Sequence, residues 1–279
     1  ARVDYWKNHD GYEGTLGGEM TTYPSHETTQ LNPRVAVRKE LRPGLAIRGS
    51  AFRAFHAPEL RELYRTGGSR NNPILPNPEL GPEVLTGADA GVVFGTPGAR
   101  AEINVFWNEI DDTVAAVPVS TDPTLIFINR NIGSSRSRGV EVFARWTPAP
   151  SWSIDGGYVY ADAVVTNAPS QETIEGNRIA DIPDHTATLE VSWFPAGPFS
   201  ARVRSRHQSE RYFDAENTFR FDPFTVVDLH LSYQWNDALK LFADVENLFD
   251  ETYLAEFIPD RRLGPPTHVH AGFRWRSGR

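Results

Sequence analysis

The feature that most constrains this chain is a rhythm. Segments of about ten residues, in which apolar and polar side chains take turns, are joined by short turns and long polar loops in strict succession. The short turns are rich in Pro, Gly, Asn and Asp: Arg42-Pro43-Gly44, Thr96-Pro97-Gly98, Pro148 to Ser151, Pro195 to Pro198, and Asn236-Asp237-Ala238. The long stretches lie at about 56–83, 111–135, 164–183, 210–223 and 249–266. Successive side chains of a strand point to opposite faces, so a period of two gives one oily face and one wet face.

The strands can be read directly. Leu239, Leu241, Ala243 and Val245 oppose Lys240, Asp244 and Glu246, with Phe242 the exception on the wet side. Val227, Leu229, Leu231, Tyr233 and Trp235 oppose Asp228, His230, Ser232 and Gln234. Similar alternation recurs around Val140–Trp146, Ala187–Trp193, Phe199–Arg206 and Val269–Arg276. About twelve strands result, near 12–23, 33–40, 45–55, 84–95, 99–110, 136–147, 152–163, 184–194, 199–209, 224–235, 239–248 and 267–276. A soluble sandwich also alternates, so tryptophan placement decides. Trp146, Trp152, Trp193, Trp235 and Trp275 all fall at predicted short-turn ends or at the C-terminal end. Indole favours a membrane interface, where its apolar body and N–H are both accommodated. The expected fold class is therefore all-β: an antiparallel transmembrane β-barrel portion of about 12 strands, with short periplasmic turns and long extracellular loops.

Composition removes several classes. No run approaches the roughly 18 apolar residues of a membrane helix, but a barrel strand meets lipid only at every second residue. The net charge of -8, with no basic tract, argues against nucleic acid as a partner. There are no cysteines, which excludes disulfide frameworks and thiolate metal sites. Nucleophile-elbow, zincin and phosphate-loop patterns are missing, so no enzyme is expected. The start, Ala1 to Trp6, is not a signal peptide, and a barrel must be exported; the chain reads as a processed or truncated piece. Residues 1–279 are expected to form one domain.

An ordered set of boxes resembles the C-terminal part of the β-barrel of TonB-dependent outer-membrane receptors. Asn32-Pro33-Arg34 opens a strand as theirs do. Ala51 to Pro58, with Glu59-Leu60 and Glu62-Leu63-Tyr64, is similar to their "FRAP…ELY" box, and Asn77 to Glu83 to their "NPxLxPE" box. Asn131-Ile132-Gly133 with Arg138 to Glu141 resembles their "N-x-G…RGVE" pair. Ile182 to His185 and Val226-Val227-Asp228 resemble later strand openings. Glu246 to Asp250, Tyr253 and Gly264-Pro265 resemble the signature before the final strand. The N-terminal plug domain and TonB-contacting segment of the family have no counterpart here, and Trp275 is followed by four further residues instead of ending the chain.

The resemblance implies a place in the outer membrane of a Gram-negative bacterium, in contact with its lipid. It also implies TonB-energised uptake of a scarce nutrient: a ferric siderophore first, cobalamin next. TonB would be engaged through the missing N-terminal segment. No cofactor is expected. The candidate ligand-facing residues, in the lumen or loops, are Arg53, His56, Arg202, Arg204 and Arg206. The three arginines of one strand form a ladder that attracts an anion, or that pairs with Glu190, Asp228 or Asp244. His56 sits where some haem receptors of the family carry a functional histidine, but one histidine is a poor basis for an iron ligand. His268 and His270 share a face and would need a third group to bind metal; otherwise they are polar residues of the interior. Glu109, Asp111 and Asp112 head a loop that is solvated or calcium-binding. Arg53 and Glu62 have a structural reading as well, pairing within the wall. Two rival architectures remain open: a self-contained twelve-stranded pore or barrel enzyme, with strand 12–23 closing onto 267–276, and a soluble β-sandwich binding protein.

Overall fold

The computed structural model describes residues 1–9, 12–14, 20–23, 25–68, 72–120, 124–169, 171–256 and 261–276. Eleven strands form one antiparallel sheet: β1 (Arg34–Arg42), β2 (Leu45–His56), β3 (Glu83–Thr96), β4 (Ala99–Asp111), β5 (Ser134–Trp146), β6 (Trp152–Asn167), β7 (His185–Trp193), β8 (Phe199–Gln208), β9 (Phe224–Gln234), β10 (Leu239–Glu246) and β11 (His268–Trp275). Each strand pairs with its neighbours in sequence, so the sheet is an uninterrupted meander. The five short turns fall where the Pro, Gly, Asn and Asp clusters stand. Gly44 takes φ +76°, and its carbonyl accepts the N–H of Gly95 at 2.7 Å, which ties the first turn to the next.

Two expectations are revised. The strand expected at 12–23 falls partly on residues 10–11 and 15–19, outside the described set. Its described pieces, Tyr12–Gly14 and Met20–Thr22, pair with each other, and the flanking segments Arg2–Asn8 and His26–Asn32 pair as a separate ribbon. That ribbon runs into β1 through Pro33, which supplies no N–H but whose carbonyl accepts from Arg53 N–H at 3.0 Å. The closed twelve-stranded barrel is also not formed: β1 and β11 are the two edges of the sheet and do not meet. The soluble sandwich fails because nothing among the described residues covers the apolar face.

The register fixes that face. Val35, Ala51, Ala88 and Trp107 stand in one cross-strand row, and Ile47, Val92, Ile103, Val142 and Tyr158 in another. Val35, Ile47, Val92, Ile103, Trp107 and Tyr158 are exposed large hydrophobics. A single-layer sheet that exposes such rows is built for lipid on that side. No helix among the described residues is long and apolar enough to cross a membrane; the wall crosses with strands. The tryptophans collect at the short-turn ends as expected. Trp152 is the direct cross-strand partner of Trp193, with ring centroids 6.1 Å apart, and Trp193 also meets Phe199 at 5.9 Å. Trp146, Trp152, Trp235 and Trp275 are exposed.

The opposite, inner face is polar but carries phenylalanines, four of which stand opposite a glycine. Phe52 stands opposite Gly87, Phe106 opposite Gly139, Phe143 opposite Gly157, and Phe242 opposite Gly272. A Cβ on Gly87 would lie 2.6 Å from Phe52 Cζ, and one on Gly272 would lie 2.7 Å from Phe242 Cζ. The rings of Phe52, Phe106 and Phe242 cover the neighbouring strand's bare backbone, so these wet-face phenylalanines still bury apolar surface.

The closed hydrophobic core lies in the loops, contrary to their reading as polar stretches. Val117, Ile132, Val165, Ala168, Ile174 and Ala215 pack together, and Phe127 is fully buried, edge-on to Phe213 with centroids 5.9 Å apart. A small sheet supports them, in the order Val114–Ser120, Ile126–Asn131, Pro73–Leu75, Gly67–Gly68. The short helix α1 (Leu60–Tyr64) buries Leu63, and Glu62 accepts the Glu59 N–H at 2.9 Å. One carboxylate in this cap is poorly served: Glu216 accepts from Gln171 Nε2 at 2.5 Å through one oxygen, while its other oxygen is buried without a partner. Burial raises the Glu216 carboxyl above the usual glutamate range, and nearby Asp214 adds to the effect against the pull of its own backbone N–H and of Gln171.

Two outcomes follow. The folded cap holds the Glu216 proton more tightly than the unfolded chain does. Its contribution to stability is therefore fully present at acid pH and is lost as pH rises through the raised value. Glu216→Gln should lengthen the protease half-life of the loops at pH 7, with the gain vanishing below about pH 4. Gly139→Ala would set a Cβ 2.8 Å from Phe106 Cζ and into the carbonyl oxygen of Tyr160. It should cost about 1–3 kcal/mol, read from unfolding in detergent, while Gly156→Ala, with open space around it, should cost much less.

Candidate functional site

Strand parity sends Arg202, Arg204 and Arg206 of β8 to the inner face, where they line a concavity of about 480 Å³ with residues of β7, β9, β10 and β11. Arg202 Nε lies 3.2 Å from Glu190 Oε1. Arg206 donates to Tyr253 Oη at 3.4 Å, and its guanidinium carbon stands 5.6 Å from the ring centroid of Phe224. Arg204 sits between Glu190 and Asp228 in the cross-strand register, yet forms no ion pair among the described residues. Asp228 is engaged elsewhere, accepting the Asn247 N–H at 2.9 Å.

Asp244 is engaged as well. One oxygen bonds Nδ1 of His230, and the other lies 3.2 Å from Nε2 of His270. His268 stacks beside His270 with ring centroids 5.6 Å apart. Of the pair seen in sequence, His270 therefore does meet a carboxylate, through a strand that sequence spacing could not assign to it. Among the described residues, no His, Cys, Asp or Glu cluster has the geometry to hold a metal ion. The arrangement leaves the Arg204 guanidinium without an ion pair or hydrogen bond among the described residues, able to take an anion from the inner side.

The other candidates lie apart. Arg53 shares the parity of Ala51 and Ile47, on the apolar face, opposite Thr86. His56 ends β2 at the loop side, with Nδ1 3.1 Å from Glu83 Oε2. The acidic loop residues make local bonds: the Asp111 carboxylate accepts from Ser134 Oγ at 2.9 Å, and the backbone carbonyl of Asp112 accepts from Asn131 Nδ2 at 2.7 Å.

The sequence boxes turn out to be clamps that hold the loops above this face. Asn77 donates to the Asn129 carbonyl at 3.0 Å, Leu80 is buried, and Glu83 accepts the Val114 N–H at 2.7 Å. Asn131 exchanges bonds with the backbone of Gly81 at 2.8 and 3.0 Å. Asn247, buried and at φ +50°, is the hub of the last box. It donates to the carbonyls of Glu251 and Pro265, both at 2.9 Å, and accepts the Glu251 N–H at 2.8 Å. Asp250, at φ +53°, accepts the Thr267 N–H at 2.9 Å. Tyr253 then lies against Gly264 and stacks on Phe224 at 4.1 Å, which sets the ring pair beside Arg206.

Known proteins share this plan. Residues 1–248 match the family described as TonB dependent receptor-like, beta-barrel. An iron-regulated outer membrane virulence protein of Vibrio cholerae is 22% identical over 267 residues, covering 89% of this chain and 40% of that protein. The ferrichrome outer membrane transporter/phage receptor of Escherichia coli K12 is 29% identical over 196 residues, covering 62% of this chain and 25% of that protein. A vitamin B12 transporter of Photobacterium profundum is 25% identical, covering 91% and 38%. Among solved structures, a copper transporter superposes over 98% of this chain and 44% of its own, with a TM-score of 0.76 at 17% identity. The ferric preacinetobactin receptor of Acinetobacter baumannii does so over 92% and 38%, at 0.69 and 18%. The chain thus spans less than half the length of these relatives.

The hub role of Asn247 can be measured. Asn247→Ala removes hydrogen bonds to three backbone groups and leaves them unserved, and should cost roughly 2–4 kcal/mol in unfolding while loosening the loop between β10 and β11 to protease.

Proposed function

The chain belongs to the TonB-dependent receptor β-barrel family, and from that premise we propose that it forms part of the wall of an outer-membrane transporter for a scarce nutrient. The ligand class proposed is a ferric siderophore first and cobalamin next. The sheet's two free edges would be costly in lipid, so the reading places it within a larger closed barrel. Import would be energised through TonB, acting on parts of the protein outside these residues.

The observation that carries the reading is the Arg202–Arg204–Arg206 strip on the inner face, beneath a folded, water-facing cap. A polar strip in which Arg204 and Arg206 have no carboxylate partner among the described residues suits an anionic cargo that has been passed inward from the loops. The iron of a siderophore would be cargo, held by its own chelator; the chain's residues would meet the chelator's negative charge. Arg53 and His56 have no part in this strip and are proposed as wall and loop residues.

The test is binding and uptake by the intact receptor carrying Arg202→Gln, Arg204→Gln and Arg206→Gln together. Affinity or uptake for an anionic ferric siderophore should fall by about tenfold or more, equivalent to 1.4 kcal/mol, with the folded amount unchanged. Undiminished binding and uptake of every siderophore the native receptor accepts would remove the strip from the pathway.

A further inference from the structure

The arginine concavity carries a second set of polar groups beside the strip. His230 of β9, Asp244 of β10 and His270 of β11 stand in one cross-strand row of the inner face, with Arg202 of β8 next in line. Asp244 bonds both rings, through Nδ1 of His230 and, at 3.2 Å, through Nε2 of His270. The three side chains are part-exposed and line the same space as the strip. A carboxylate only accepts, so in each neutral ring the nitrogen facing Asp244 carries the proton. His230 Nε2 and His270 Nδ1 are then bare lone pairs, and neither has a partner among the described residues. A second proton turns each into a charged N–H donor. The same ring thus repels an anion when neutral and binds one when protonated.

The charge balance of the lining makes this step decisive. The three guanidiniums of the strip share the concavity with four carboxylates, of Glu190, Asp228, Asp244 and Glu246, which leaves a formal charge of -1 while the histidines are neutral. Protonation of His230 and His270 turns that into +1. Asp244 can compensate only one of the two new charges. The remaining ionisable groups on these strands lie to either side. Lys240 faces Arg274 toward the short turn, and His268, outside the lining, faces Glu246 toward the loop. The Tyr253 hydroxyl enters from the loop between β10 and β11. Carboxylates, amines and guanidiniums ordinarily hold their charge between about pH 5.5 and 8, whereas imidazole changes there. The sign of the lining is therefore set by the two rings that Asp244 holds.

We propose that His230 and His270, oriented by their shared Asp244, form a proton-dependent anion subsite beside the arginine strip. The concavity takes up protons together with its anion and holds that anion more tightly as pH falls through the imidazole range. The two directions are one coupling: an anion favours the charged rings, so binding draws protons in, and acid in turn tightens binding. The subsite rests on the reading of the strip as an anion site and adds what controls its occupancy.

Calorimetry on the intact receptor in detergent tests this with hexacyanocobaltate(III), an inert trianion whose own charge is constant over the range. Its dissociation constant is expected to fall about tenfold or more between about pH 8 and about pH 5.5. Near about pH 6.5, titrations in buffers of different ionisation enthalpy should show net proton uptake, up to about two protons per anion. With His230→Gln and His270→Gln together, the constant should be the same at both pH values and the uptake should disappear. Proton uptake is read on the native receptor, so it does not depend on how the variant folds. Binding that is flat with pH and draws in no protons overturns the subsite, as does a pH dependence that the double variant keeps. In either case the strip's own reading stands if Arg202→Gln, Arg204→Gln and Arg206→Gln together abolish binding. No binding by the native receptor at either pH overturns both.

Discussion

Hydrocarbon offers a peptide group nothing to bond, and each unpaired N–H or C=O there costs several kcal/mol. The wall satisfies this with the simplest possible path, a meander in which every strand is bonded to the strand before and after it in sequence. Once the backbone is committed in this way, side-chain parity does the rest. One face meets lipid and is Val, Ile, Leu and aromatic; the other meets water and gathers the arginines, histidines and carboxylates. Short turns suffice at one end because antiparallel neighbours need only a few residues to reverse.

Apolar burial is displaced by the same constraint. A single sheet with lipid on one side and a polar interior on the other has no enclosed core of its own. The water-facing loops do, and they form one from Val117, Phe127, Ile132, Val165 and Ile174. Asn77, Asn131 and Asn247 then fasten the loop backbones, using an amide that can donate and accept at once. The arginine strip on β8 depends on this: Tyr253, held over Gly264 by the last clamp, touches Arg206.

The strands from Arg34 to the end were legible because period-two alternation and turn chemistry agree at each step. The Trp rim was legible for the same reason, since turn position fixes strand ends. The loop core was not: Val117 lies in a short apolar run with no clear period, Ile174 stands alone among polar residues, and their partners come from different loops. The wet-face position of Phe242 could be seen, but not its cause, because the glycine opposite belongs to another strand and appears only with the register. The three arginines of β8 were visible as a ladder, whereas the His230–Asp244–His270 contact spans three strands and needs their pairing.

The phenylalanine–glycine pairs have a consequence for how such a wall can change over time. Each ring fits where its neighbour has no side chain, so the two positions share one volume between two strands. Enlarging the glycine alone forces overlap, and shrinking the phenylalanine alone uncovers backbone. Exchange of the two residues across the ladder would conserve both volume and coverage. Positions 52 and 87, or 106 and 139, are therefore expected to vary as couples among homologous walls, while the polar residues between them drift singly with whatever the interior is asked to carry.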